Sequence, residues 1–215
     1  MSLSLKASSR SVTASAPAPS AAVVGPKLDG RLNRSVVTRK KIVTALTALV
    51  EEGHVSPTAE QVAVRAEVGL RTVFRHFDDM DSLYREISQI AEAHVTPVLL
   101  VRLLAPTWKE RVLESIELRS EVYDRVAAHY LAAQVHRHQS PYLAQNIMAA
   151  AKLQRDLLKR LMPPEATQEK HLLEALDLTM SLDAWVRLRR EQGLTAPEAH
   201  QAIRLAVSAL LALVA

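Results

Sequence analysis

Hydrophobic side chains in this chain fall three and four residues apart over long stretches, the spacing of helices that each bury one face. Ile42, Leu46, Leu49 and Val50 predict a helix from about Thr38 to Glu52, closed by Gly53. Thr58 starts a second: its hydroxyl caps the N-terminus, and Gln61, three residues on, reaches back as the other half of a capping box. Val62, Ala63 and Ala66 form its apolar face. Glu67-Val68-Gly69 interrupts the pattern, and Leu70, Val73, Phe74 and Phe77 resume it at i, i+3, i+4 and i+7 as a third helix of barely two turns. Leu83, Ile87, Ile90 and Ala91 define a fourth that begins near Met80 and leads into the rest of the chain.

Helical periodicity continues from there to the end, with glycine and proline confined to boundaries. Pro97 should kink or end the fourth helix. Thr107 and Glu110 form another capping box, opening a segment buried through Val112, Leu113, Ile116, Val122, Tyr123 and Val126. Ser140 followed by Pro141 is a cap with a first-turn proline, and that helix should run to about Leu161, where Met162-Pro-Pro stops it. One helix is expected from near Thr167 to Gly193, and Thr195 with Glu198 opens the last.

Two short helices joined by a tight turn at 57–77, with a preceding helix as third wall, match the geometry of a helix-turn-helix reader of DNA. The outward positions of the third helix are Arg71, Thr72, Arg75 and His76, with donors for phosphate oxygens and guanine edges and a methyl for thymine. The same pattern also fits a packed corner of a helical bundle with solvated arginines. Charge favours DNA: seven of the chain's 27 basic side chains lie in the first 40 residues, against Asp29 alone of its 23 acidic ones. Residues 1–35, rich in Ser, Ala and Pro with no apolar face, should form a disordered basic arm. Arg31 and Arg34, just before the first helix, either track a neighbouring minor groove or belong to a solvated tail.

From Ile42 through Gly53, from Thr58 to Val68, and in Arg-Thr-Val-Phe-Arg-His-Phe at 71–77 and Ser-Leu-Tyr at 82–84, the chain resembles the N-terminal domain of the TetR family of transcriptional regulators. Trp185 to Leu194 is similar to a segment found in one branch of that family, whereas 100–165 matches only in helical character. The resemblance implies an all-α fold: an N-terminal three-helix helix-turn-helix DNA-binding domain at 36–80, followed by a helical ligand-binding and dimerisation domain at 81–215. Departures are specific. Family members usually carry Tyr where Phe74 stands and Lys where Met80 stands, both common phosphate partners, and Gly and Ser where the turn has Glu67 and Gly69. Each phosphate left without its protein partner lowers the salt slope of binding by about 0.9. Candidate DNA-binding residues are Arg31, Arg34, Thr38, Arg39, Thr58, Leu70, Arg71, Thr72, Phe74, Arg75 and His76, on a pseudo-palindromic duplex.

The resemblance also implies a homodimer built on the last two helices, whose apolar residues exceed what one monomer face needs; Leu178, Leu182, Trp185, Ile203, Val207 and Leu210 are the expected interface. These faces also suit closure of the monomer's own core. A pocket for a small organic effector is expected in the body, with Trp108, Arg119, Tyr123, His129, Tyr130, His136, Tyr142 and Met148 as candidates. Arg119 could meet an anionic effector, or pair with Glu117 or Asp124. His129 and His136 are two turns apart, His136 and His138 point to different sides of a helix, and none has a carboxylate at i+3 or i+4, so no metal is expected, and no cofactor. No P-loop, G-x-G-x-x-G, G-x-S-x-G or H-E-x-x-H occurs, which argues against an enzyme. The absence of cysteine excludes disulfides and thiolate chemistry. No apolar run reaches membrane-span length, and Pro-Ala-Pro at 17–19 opposes a transit helix, so a cytoplasmic protein is expected. The rival reading is a dimer of the same shape that has weakened its grip on DNA and works through a protein partner.

Overall fold

A computed structural model describes residues 30–214. It contains α1 (Gly30–Glu51), α2 (Ala59–Arg65), α3 (Leu70–His76), α4 (Met80–Leu99), α5 (Trp108–His136), α6 (Pro141–Leu161), α7 (Pro164–Gln168), α8 (Lys170–Thr179), α9 (Leu182–Val186) and α10 (Ala196–Ala212). No strand occurs among the described residues. The all-α fold is as the sequence predicts.

Local chemistry sets most of the boundaries. Thr58 with Gln61, Thr107 with Glu110 and Thr195 with Glu198 each form a full capping box, and Ser140 caps α6 ahead of Pro141. Asp79 with Ser82 adds a further box at the start of α4. Gly53, at φ +99°, ends α1 in a left-handed residue, with the His54 N–H returning to the Leu49 carbonyl. The same closure ends α2, where the Val68 N–H reaches the Ala63 carbonyl, but the left-handed position there is held by Glu67 at φ +56°. Gly69 instead serves as the extended N-cap of α3, without a side-chain cap.

Two apolar clusters organise the molecule. The head cluster gathers Ile42, Leu46, Val50, Val62, Val73, Phe77, Leu83 and Ile87 from α1 to α4, and it runs on into Ala132 of α5 and Leu143 of α6. The first half of α4 therefore belongs to the head, and the head is packed onto one end of the body. The second cluster joins Val112, Ile116, Tyr123, Leu158, Leu176, Met180, Trp185, Ile203, Val207 and Leu211.

Two expectations are corrected. α1 begins at Gly30, eight residues before Thr38, so 30–35 are helical and Arg31 and Arg34 stand in the first turns of a helix instead of in an arm. The rest of that arm, 1–29, lies outside the described residues. The single helix expected over 167–193 is three pieces with a π-helical turn at Arg187–Glu191. The break at Met180 and Ser181 is sealed on both sides: Ser181 caps α9, and the Met180 carbonyl lies 2.8 Å from the Tyr123 hydroxyl and 3.5 Å from the Arg119 guanidinium. Pro97 lies inside the last turn of α4, which ends two residues later at Leu99; its missing N–H removes the helical bond to the Ala93 carbonyl.

Candidate functional site

α3 is fixed from beneath and from one end. Val73 and Phe77 are buried in the head cluster, which orients the helix about its axis. Arg39 of α1 lies 4.1 Å over the Phe77 ring, donates to the His76 carbonyl at the C-terminus of α3, and pairs with Glu86 of α4. One side chain thus ties three helices, so Arg39, a DNA-binding candidate, clamps the head together. An ion pair between Arg65 and Glu52 links α2 to the residue that follows α1 at the surface.

With Val73 facing in, the 100° step per residue turns Leu70, Phe74, Arg71 and Arg75 outward on one contiguous stripe. Leu70 is 37% exposed and Phe74 47%, although their periodicity with Val73 and Phe77 predicts burial. Both arginines are exposed, and neither makes a hydrogen bond or ion pair with any described residue. Thr72 and His76 fall on the flanks, half-buried. Burial, then the charges of Arg75 and Arg39, holds the His76 imidazole below its ordinary value of 6.5, and its Nε2 is buried without a partner. The enclosed Nε2 sets the ring against the protein at the end of α3. Thr58 spends its hydroxyl on the cap of α2, and Thr38 returns its own to the Arg34 carbonyl at 2.9 Å.

Between α4, α5 and α6 lies a cavity of about 170 Å3. Of the predicted ligand residues it brings together Tyr123, His129 and Tyr130. The others are elsewhere. Arg119 is buried against the Gln154 carbonyl at 2.9 Å and the Tyr123 hydroxyl at 3.3 Å, and pairs with no carboxylate among the described residues. Tyr142 lies under Arg85, Trp108 packs on the body cluster, His136 stacks on Tyr84 at 4.2 Å, and Met148 points away, 72% exposed. Asn146, Ala150 and Leu153 line the cavity instead, with Leu182. Their spacing of four and three was the available signal, and Met148 lies off that stripe. Glu92 is the sole charged lining residue, and it accepts from Asn146 at 3.2 Å. His129 has its Nδ1 buried without a partner, and burial, opposed by Glu51, lowers its pKa, so the ring is neutral at neutral pH.

Several solved structures superpose on the chain. A transcriptional regulator from Rhodococcus sp. Rha1 superposes with a TM-score of 0.62 at 17% identity, covering 80% of this chain and 95% of that one. A protein from Mesorhizobium loti assigned to the TetR family gives 0.53 at 16% identity, over 84% and 98% of the two chains. One from Syntrophomonas wolfei with the same assignment gives 0.55 at 15% identity, over 81% and 95%. The fold is that of the TetR regulators. No protein-family model matches the sequence, and no curated protein matches it significantly.

Within this TetR fold the expected dimer residues divide sharply. Trp185, Ile203 and Val207 are buried in the monomer's own core, and Leu182 and Leu210 pack partly against it, so five of the six serve the core. Leu178 alone stands out, 71% exposed, and it is joined by Leu205 at 75% and Leu213 at 78% on α10 and just beyond it. Ala206, Ala209 and Ala212 extend that exposed apolar face. The amphipathic pattern marks both faces of α10 as apolar without saying which one closes the core.

Proposed function

We propose that this protein is a sequence-specific DNA-binding transcriptional regulator, acting as a homodimer that represses until a small molecule enters the body. The observation that carries the reading is the outward stripe of α3, where Arg71 and Arg75 are exposed and uncommitted beside Leu70 and Phe74. Guanidinium groups one turn apart on a short rigid helix suit guanine edges and phosphates of one major groove, and Phe74 and Leu70 suit thymine methyls. The exposed leucines of α8 and α10 supply the two-fold contact, which sets the two heads about 34–36 Å apart or a multiple of it.

The cavity supports the effector. Its walls are mostly apolar, no cation lines it, and its polar groups include an unpartnered neutral imidazole, which fits a small neutral molecule with one hydrogen-bonding group. It adjoins α5 and α6, the helices through which the body touches the head cluster. A ligand that favours one spacing of these helices shifts DNA affinity by its differential binding, typically about 1–3 kcal/mol.

Electrophoretic shift on the duplex upstream of the coding region, repeated over a salt series, tests the reading. A preferred sequence and a steep salt slope, both reduced in the Arg71→Ala, Arg75→Ala double variant, are expected. A slope near zero with no preferred sequence would transfer the exposed Leu70 and Phe74 to the rival reading, a protein partner.

A further inference from the structure

A second cleft, of about 320 Å3, opens where the end of α4 and the segment after it meet the first half of α5 and the last turns of α6. It shares only Leu99 with the cavity described above. Its chemistry is opposite in kind. Four of its lining residues, Arg102, Arg111, Arg119 and Arg160, are cationic and none is acidic. Arg119 is 6% exposed, and its hydrogen bonds to described residues all go to neutral oxygens, those of Gln154, Tyr123 and Met180, while the Asp177 and Asp183 carboxylates act on Tyr123 only through space. Arg111 donates to the Ala105 and Pro106 carbonyls, both at 3.1 Å. Arg160 and Arg102 form no hydrogen bond or ion pair with any described residue, although Asp156 feels the Arg160 charge along α6. Glu114, one turn from Arg111, is turned to the Leu104 and Ala105 N–H groups at 3.0–3.3 Å. The remaining walls are hydrocarbon from Leu99, Leu103, Leu118, Leu157 and Leu161.

A buried guanidinium without a counter-anion is costly, and a cleft with low-dielectric walls concentrates the field of several cations. Guanidinium groups match the two oxygens of a carboxylate. We propose that this cleft binds a small organic carboxylate, its head on Arg111, Arg119 and Arg160 and its hydrocarbon body on Leu99, Leu118, Leu157 and Leu161. Arg119 is also the partition between the two hollows, because Tyr123 and Gln154, its hydrogen-bond partners, face the other cavity. It reaches the Met180 carbonyl at the break between α8 and α9 as well, so an anion that draws on Arg119 acts on the effector cavity and on the exposed face of α8 together.

Carboxylate binding here does not depend on whether the protein binds DNA, and calorimetry on the full chain tests it with three probes: octanoate, octan-1-ol and acetate. Octanoate should bind at least about tenfold more tightly than either the alcohol, which lacks the charge, or acetate, which lacks the body. Arg160→Gln, at an exposed position, should weaken octanoate by about tenfold with an unchanged melting curve, and Arg111→Gln should act in the same direction. His129→Phe, in the other cavity, should leave octanoate affinity unchanged. Equal affinity for octan-1-ol or for acetate, no octanoate binding, or binding abolished in His129→Phe but retained in both arginine variants would overturn the proposal.

Discussion

Arg71 and Arg75 share a stripe with Phe74, and the three side chains are suited to different parts of a duplex. A bidentate arginine is worth about 1–3 kcal/mol of discrimination between bases, whereas a phosphate contact adds affinity without regard to sequence. Arg75→Ala is therefore expected to relax base preference, and Arg34→Ala, on the first turns of α1, to weaken all sequences alike while lowering the salt slope by about 0.9; anisotropy titrations on matched and scrambled duplexes separate the two, and identical profiles would refute the division. Arg39→Ala should behave differently from both. Its side chain is 44% exposed, so its ion pair with Glu86 counts for little, and removing the clamp on Phe77 and His76 should cost about 1 kcal/mol, or about 2–4 °C of melting temperature. Its effect on DNA should follow the drop in melting temperature equally for all sequences, with an unchanged salt slope.

At the scale of elements, the α2–α3 turn has its two special positions filled the other way round from what their backbones favour. Glu67 occupies the left-handed residue that glycine adopts freely, and Gly69 occupies an extended cap that serine fits. A Cβ at Gly69 would meet only the Thr72 hydroxyl, at 3.9 Å. Glu67→Gly is expected to stabilise the protein by about 1 kcal/mol and Gly69→Ser by a few tenths, measured by urea denaturation. The junction of α4 and α5 carries a second prediction. Burial lowers the pKa of His129 and His136, so both rings bind fewer protons folded than unfolded. Their contribution is complete above the ordinary value of 6.5 and is lost as pH falls below it. Melting temperature should drop between about pH 7.5 and 5.5, and His136→Phe, which keeps a ring against Tyr84, should flatten the drop. Elements that begin at a local cap were legible in the sequence: α2, α5, α6 and α10 start where Thr58, Thr107, Ser140 and Thr195 place them. The break before α9 was not, because its open carbonyl is answered by Tyr123, 57 residues away. Nor was the start of α1, since Leu32, Val36 and Val37 are exposed and its first turns bury no face that periodicity could reveal.

For the whole molecule, α3 was readable because a two-turn helix between fixed neighbours has one way to present its arginines. The cavity and the association face depend on which of several apolar stripes turns inward, and that is decided between helices distant in sequence. Leu178, Leu205 and Leu213 are left exposed after the core has closed. Placing a charge there, as in Leu205→Arg, should give a monomer by sedimentation with an unchanged helical signal, and specific DNA binding should fall because one head of two turns grips only a half-site. Whether paired α3 helices read sequence is decided by selecting bound duplexes from a random pool with the purified protein. An inverted repeat whose half-sites lie one or a whole number of helical turns apart should be enriched, and the enrichment should disappear with Arg71→Ala, Arg75→Ala. A pool that stays random, or one enriched equally by the double variant, would contradict sequence reading by α3.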